Sequence, residues 1–369
     1  MSAHPVSPSP MRRPLDPTTL LTAVPALIGF LPERSIVVVA FHADRSPSAT
    51  MRHDLLLDER GAPSPELSGL FADLAAITVS YGVEEVVVAI ADDRHPLDGL
   101  VYRQVLSIAD REFSAIGGVA AGFAVADFHE GAEWTTIWCP DDQAWAVDMS
   151  GPRSGALEDP LTSPSAVEAA VRSGRHILAR RSQIRAMLEP RPGECSAQRP
   201  DLWCGGCAAG DGTGIGVGPA SQTQMLELVL EAVVAAGPPV ECRRLADLDR
   251  ALGDPDVRDA LLGLAVTDLR DRAEVLWREL ARRLAGRGRA AAATLLAHLH
   301  YVGGEGAYAG TALDVALDSD PGYTVALALD QCLRSGMRPA KLSELTGVAY
   351  DTAARLGVRL PPVTRQAAG

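Results

Sequence analysis

The stretch Trp203-Cys204-Gly205-Gly206-Cys207 carries the most chemically suggestive spacing in the chain. A Cys-x-x-Cys pair becomes a thiol–disulfide redox centre when a strand leads into it and a helix opens behind it, because the helix N-terminus lowers the first thiol's pKa. Here the following residues, Ala208 to Pro219, are dominated by glycine and cannot propagate a helix. Nothing before Trp203 reads as a strand. Thiolates at Cys195, Cys204 and Cys207, with Cys242 as a fourth, could instead hold a tetrahedral zinc ion. Structural zinc sites usually present two Cys-x-x-Cys pairs and this chain has one, so no cofactor is expected, with zinc as the alternative. The glycines lack the Gly-Lys-Ser/Thr ending of a phosphate loop and the preceding strand of a dinucleotide site. The stretch therefore reads as a linker.

A second constellation is acidic and imidazole-bearing: Asp58-Glu59, Asp92-Asp93-Arg94-His95 and His129-Glu130, with the turn Pro32-Glu33-Arg34-Ser35. One histidine with two or three carboxylates can do general acid–base work or hold a divalent cation. The candidate catalytic residues are Asp92, Asp93, His95, His129 and Glu130, and the candidate ligand-binding residues are Arg34 and Ser35. The plainer alternative is that loops at strand ends are polar in any case, and that Gly29, Pro32 and Ser35 shape a helix-to-strand turn. No nucleophile elbow is present.

The elements around these residues decide whether they can meet. Asp16-Pro17 offers an N-cap and a first-turn proline for a helix over 18–27, with Pro25 expected to kink or shorten it. Strands are expected at 36–41, 51–57, 85–90 and 119–128, with short ones at 134–139 and 144–147. Helices are expected at 66–80, 97–116, 164–173 and 180–188. Antiparallel pairing of 36–41 with 51–57, and crossovers that run the later strands parallel to 51–57, would gather the acidic and histidine loops on one rim. Open α/β sheets bind ligands at such rims.

The expected organisation is a disordered lead-in (1–15), a mixed-sheet α/β domain (16–188), a Gly/Pro/Cys linker (189–219), a helical domain (220–338) and a helical tail with a disordered end (339–369). Helices are expected at 221–236, 243–252, 256–266, 270–285, 289–302, 306–318 and 322–335. Residues 290–321, with small residues at Ala297, Gly304, Ala309 and Ala316, are similar to one tetratricopeptide hairpin, which must pack on neighbouring helices. Residues 341–360 resemble a helix-turn-helix, with the turn at Gly347-Val348 and Tyr350 to Leu356 as recognition helix.

A net charge of −13 argues against nucleic acid or an anionic membrane as main partner. Apolar runs are strand-length, the opening residues lack the apolar core of a secretory signal, and six cysteines are too sparse for a disulfide scaffold. A cytoplasmic protein is expected, and the single lysine with the Ala/Gly/Pro load suggests a GC-rich bacterial genome. Residues 24–41, through Pro25, Gly29, Phe30, Pro32, Ser35 and Ile36 to Val39, resemble the opening of an actinobacterial family of uncharacterised proteins, domain of unknown function 4192. Residues 303–339 resemble its closing segment, through Gly304, Gly306, Ala309, Ala312-Leu313, Ala316-Leu317, Asp320-Pro321 and Tyr323. Members often carry a cysteine–proline cluster of which only Cys139-Pro140 remains here, and the family name implies no activity. The leading expectation is a non-enzymatic regulatory or interaction protein whose partner is a protein. The alternatives are an enzyme or small-molecule binder at the acidic rim, and a DNA-binding regulator.

Overall fold

The computed structural model describes residues 13–140, 146–191, 194–196, 221–235 and 240–367. Two compact units divide the chain, Met1–Arg181 and Ser182–Gly369. The division falls ahead of the expected one at Leu188, because Leu188 lies in the helical core and Arg185 pairs with Asp318 at 2.7 Å.

In the first unit α1 (Pro17–Ile28) begins as its residues dictate, with the Asp16 carboxylate accepting the Thr19 N–H at 3.0 Å. Pro25 neither shortens the helix nor ends it; the helix stops at Gly29, whose φ of 87° makes a left-handed cap. The expected lead-in ends before Leu15, which exchanges backbone hydrogen bonds with Ala146 and Asp148.

Strands β1 (Ser35–Phe41), β2 (Pro47–Asp54), β3 (Glu85–Ala91), β4 (Ala121–Val125), β5 (Glu133–Trp138) and β6 (Ser154–Ala156) form a sheet of order β2-β1-β3-β4-β5-β6. β1 is antiparallel to both β2 and β3, β3 and β4 are parallel, and β5 and β6 extend the sheet antiparallel. β2 begins earlier than expected because a tight turn over His42 to Ser46, with Arg45 at φ 63°, reverses the chain before Pro47. The apolar run Leu55-Leu56-Leu57 lies beyond this edge strand. Of the strand expected at 144–147, residues 144–145 lie outside the described residues; Val147 forms a bridge to Leu15, and β6 pairs with β5.

Ile36, Val38, Ala40, Val86, Val88 and Ile90 pack on the face covered by α2 (Glu66–Ser80) and α3 (Leu100–Glu112). The alternate residues Val37, Val39, Phe41, Val87, Ala89 and Ala91 pack with α1 on the other face. Strands buried on both faces must be apolar throughout, which is why β1 and β3 read as unbroken runs. Helix α4 (Pro164–Ser173) completes the unit beside α1.

The second unit comprises α5 (Ser182–Ala186), α6 (Gln222–Val234), α7 (Cys242–Gly253), α8 (Pro255–Leu261), a 3-10 turn (Leu262–Val266), α9 (Arg270–Arg283), α10 (Gly286–Val302), α11 (Gly306–Ser319), α12 (Thr324–Arg334) and α13 (Ser343–Arg355). Every residue from Ala290 to Val302 is buried, so α10 is the central helix, and its alanines let neighbours approach closely. The α10–α11 hairpin expected from the small residues is present, and α10 is buried on all sides from Ala290 to Val302.

The helix-turn-helix is not formed. Gly347 and Val348 sit inside the continuous helix α13, whose Ala349, Thr352 and Ala353 are buried. A Cβ on Gly263 would lie 3.3 Å from both Ala349 and Tyr350, so α13 is packed against the 3-10 turn. In the tail, expected to be helical with a disordered end, the chain beyond α13 is tied back as far as Arg365, which meets Asp271 at 2.8 Å. No helix among the described residues is long and apolar enough to cross a membrane.

Candidate functional site

Ser35 stands opposite both Asp54 and Ala91, Ala91 lies beside Val125, and Val125 stands opposite Trp134. The start of β1, the ends of β2, β3 and β4, and the start of β5 therefore share one edge. The turns Pro32 to Ser35, Asp92 to His95 and His129-Glu130 leave the sheet there, and Asp58-Glu59 follow a few residues after β2.

The chemistry at this edge is local. Asp92 is buried; one carboxylate oxygen accepts from Arg94 Nε at 2.7 Å and the other from the Tyr102 hydroxyl at 3.1 Å. Tyr102 is buried too, and burial with the Asp92 charge raises its pKa above the ordinary phenol value. Asp93 and Glu130 are exposed. The half-buried His95 ring stands edge-to-face to Tyr102 at 6.1 Å and lies against Gly61, where a Cβ would come within 2.6 Å of His95 Cε1. His129 is exposed, with Nδ1 2.9 Å from the Glu130 carbonyl. Among the described residues neither imidazole bonds Asp92 or Asp93, so the edge gathers the candidates without pairing them. The Asp58 carboxylate accepts the Arg60 and Ala62 N–H groups, each at 2.8 Å, and so holds its own turn.

Ser35 is buried, its hydroxyl donating to the Glu33 carbonyl at 2.6 Å and accepting from Arg52 Nε at 2.9 Å. Arg34 is exposed and holds a left-handed backbone, φ 44°. Arg52 was not legible as a site residue, because only the β1–β2 register places it across from Val37. It pairs with Asp54 at 2.7 Å and lies 5.7 Å over the Phe30 ring. Burial lowers its pKa, Asp54 opposes the shift and Arg181 adds to it. Backbone bonds joining Leu31 and Gly29 to Leu178 run the following segment beside this turn and bring Arg180 to Glu33 at 3.1 Å.

In the second unit a buried polar cluster went unread in the sequence. The Glu305 carboxylate meets Arg270 at 3.1 Å and His300 Nδ1 at 2.6 Å, and the His300 and Tyr308 rings lie 5.2 Å apart. The cluster clamps the Val302-to-Gly306 turn between α10 and α11. One helical turn away His298 is buried with Nε2 lacking a hydrogen-bond partner among the described residues, and burial pushes its pKa down to about 4.

Of the candidate zinc ligands, Cys195 is half-buried against the helical core. Its neighbours anchor it, with Glu194 on Arg282 at 2.9 Å and the Ser196 hydroxyl donating to the Arg282 carbonyl at 2.9 Å. Cys204 and Cys207, with the rest of 197–220, lie outside the described residues. Among the described residues no group of three or more His, Cys, Asp or Glu is placed to hold a metal ion.

No curated protein and no solved structure matches the chain. A family model does, over residues 17–340, and it spans both units. The chain belongs to the family described as domain of unknown function DUF4192.

Proposed function

We propose that this is a cytoplasmic, non-enzymatic regulatory or interaction protein whose partner is a protein. The observation that supports this reading is the state of the sheet edge. Its buried carboxylate, Asp92, is occupied by Arg94 and Tyr102, and among the described residues neither His95 nor His129 has a carboxylate to orient it. General acid–base catalysis needs such a positioned pair. In the helical unit, His300 is itself held in the buried clamp by Glu305.

The test compares wild type with the triple variant D93N/H95A/H129A, whose substitutions fall on side chains at or near the surface. Both are used as full-length bait, with co-purifying proteins quantified by mass spectrometry, and both are incubated with a cell metabolite extract. The reading expects one protein retained in fixed stoichiometry by both forms. A metabolite consumed by wild type and spared by the triple variant would overturn it in favour of an enzyme at the rim.

A further inference from the structure

The geometry points to the open side of β2 as the docking site for one extended segment of a partner protein, added to the sheet as a further strand. This rests on the reading of the chain as an interaction protein and names where and in what form the partner binds. β2 is the outermost strand on its side of the sheet and pairs with β1 alone. Two bonds fix the direction of its amides. The Leu55 N–H donates to the Arg34 carbonyl at 2.7 Å, in register with the pairs Ser35–Asp54 and Val37–Arg52. The Asp92 N–H donates to Val125 of β4 at 3.0 Å, which turns Ala91 and the facing Ser35 toward each other and Arg34 toward β2. Backbone groups alternate in direction along a strand, so Met51 and His53 bond β1 while Thr50, Arg52 and Asp54 point away from the sheet. Among the described residues nothing accepts from the N–H groups of those three.

Such a border offers donors and acceptors in the spacing of another strand, and proteins usually guard it. The guards here stand at its ends. At one end lies the register shift at Ala40/Phe41, with Pro47. At the other the chain bends, the Leu56 carbonyl accepting from Ser64 at 2.9 Å. Between them Ala49 to Asp54 contain no proline and no lysine. Their charges are turned inward, Arg52 onto Ser35 and Phe30 and Asp54 onto Arg52. The open length suits a strand of about five or six residues.

The side chains describe the occupant. Ala49 and Met51 are half-buried and pack against the core beneath α2 and α3, so residues of the added strand on that face are apolar. Those on the opposite face stand beside Thr50 and Arg52 and are polar. A second copy of the chain does not meet this description. The antiparallel register that uses all three outward residues pairs Thr50 with Asp54 and sets Arg52 against Arg52 of the copy. That is a like-charge pair between two chains of net charge −13.

The probe is an eight-residue peptide library displayed on phage and selected on the full chain, followed by titration of the strongest peptide in synthetic form. Peptides with apolar residues at alternate positions are expected, and hydrogen exchange over residues 47–54 should slow when one is bound. Proline at position 50 removes no bond to β1, because the Thr50 N–H faces outward, so T50P should keep the wild-type melting temperature and weaken binding at least about tenfold. A second measurement needs no variant. Methylating one alternate set of the peptide's amides should abolish binding and methylating the other set should spare it, a pattern that docking by side chains alone would not give. The inference is overturned if no peptide is selected, if T50P binds as tightly as wild type, or if both methylated peptides bind alike. Wild-type dimers in sedimentation that T50P abolishes would overturn it in favour of a second copy. T50P as an additional bait in the capture experiment separates this site from the reading it rests on: a protein retained by wild type and T50P alike removes the site and leaves the interaction reading standing.

Discussion

Replacing His298 by leucine should remove much of the helical unit's sensitivity to acid. The folded imidazole is held neutral with its pKa pushed down to about 4, against 6.5 when unfolded. Above pH 6.5 neither state takes a proton and this group leaves stability unchanged. As pH falls from 6.5 toward 4 the unfolded chain binds a proton that the folded one refuses, so stability is lost progressively. The loss reaches about 2 kcal/mol at pH 5 and about 3 kcal/mol at pH 4. Leucine has similar volume, does not titrate and removes a buried nitrogen without a partner, so H298L should gain about 1 kcal/mol at neutral pH. Hydrogen exchange followed by mass spectrometry on peptides from α10, corrected for intrinsic exchange, reads this unit without interference from the sheet. His300 is present in both proteins, so it does not distinguish them. Wild-type and H298L free energies that fall in parallel from pH 7 to pH 5 would refute the reasoning.

Other consequences follow from the same contacts. Y102F removes a donor from the buried Asp92 carboxylate and should cost about 1–3 kcal/mol in urea unfolding; an unchanged midpoint would show that the bond contributes nothing. E305A leaves Arg270 and His300 without their shared partner and should lower stability by about 3 kcal/mol, with E305Q between it and wild type, measured by exchange in α10 and α11. G61A meets both a φ of 81° and the His95 ring, so a loss of about 1–3 kcal/mol is expected. The double variant G61A/H95A should recover the part due to the clash, and a strictly additive result would contradict the packing described.

Much of the architecture was legible because both faces of the sheet are covered. Ile36 to Phe41 and Glu85 to Ile90 must be apolar throughout to lie between two layers, and that pattern reads directly. The helices of the second unit were readable as a run of helical segments joined by short loops. The edge strand β2 was misplaced because a half-exposed strand needs no apolar run, and Leu55 to Leu57 drew attention away from it. The residues resembling a helix-turn-helix misled for a related reason: Gly347 is tolerated within a helix, and tertiary packing of Ala349 and Ala353 overrides its weak propensity. The edge on which the candidate residues gather followed from strand direction alone. Their state did not, because the Tyr102 that occupies Asp92 sits ten residues further on in α3, and Arg52 reaches Ser35 only through register. The clamp of Arg270, His300 and Glu305 joins two helices and a turn that carry no recognisable spacing.

The central proposal is that this is an interaction protein and that the acidic and histidine side chains of the sheet edge do not catalyse. Its most direct test is the paired capture and turnover measurement on wild type and D93N/H95A/H129A. The account predicts the same protein at the same stoichiometry on both forms, with identical metabolite profiles after incubation. A product formed by wild type and missing from the triple variant would contradict it.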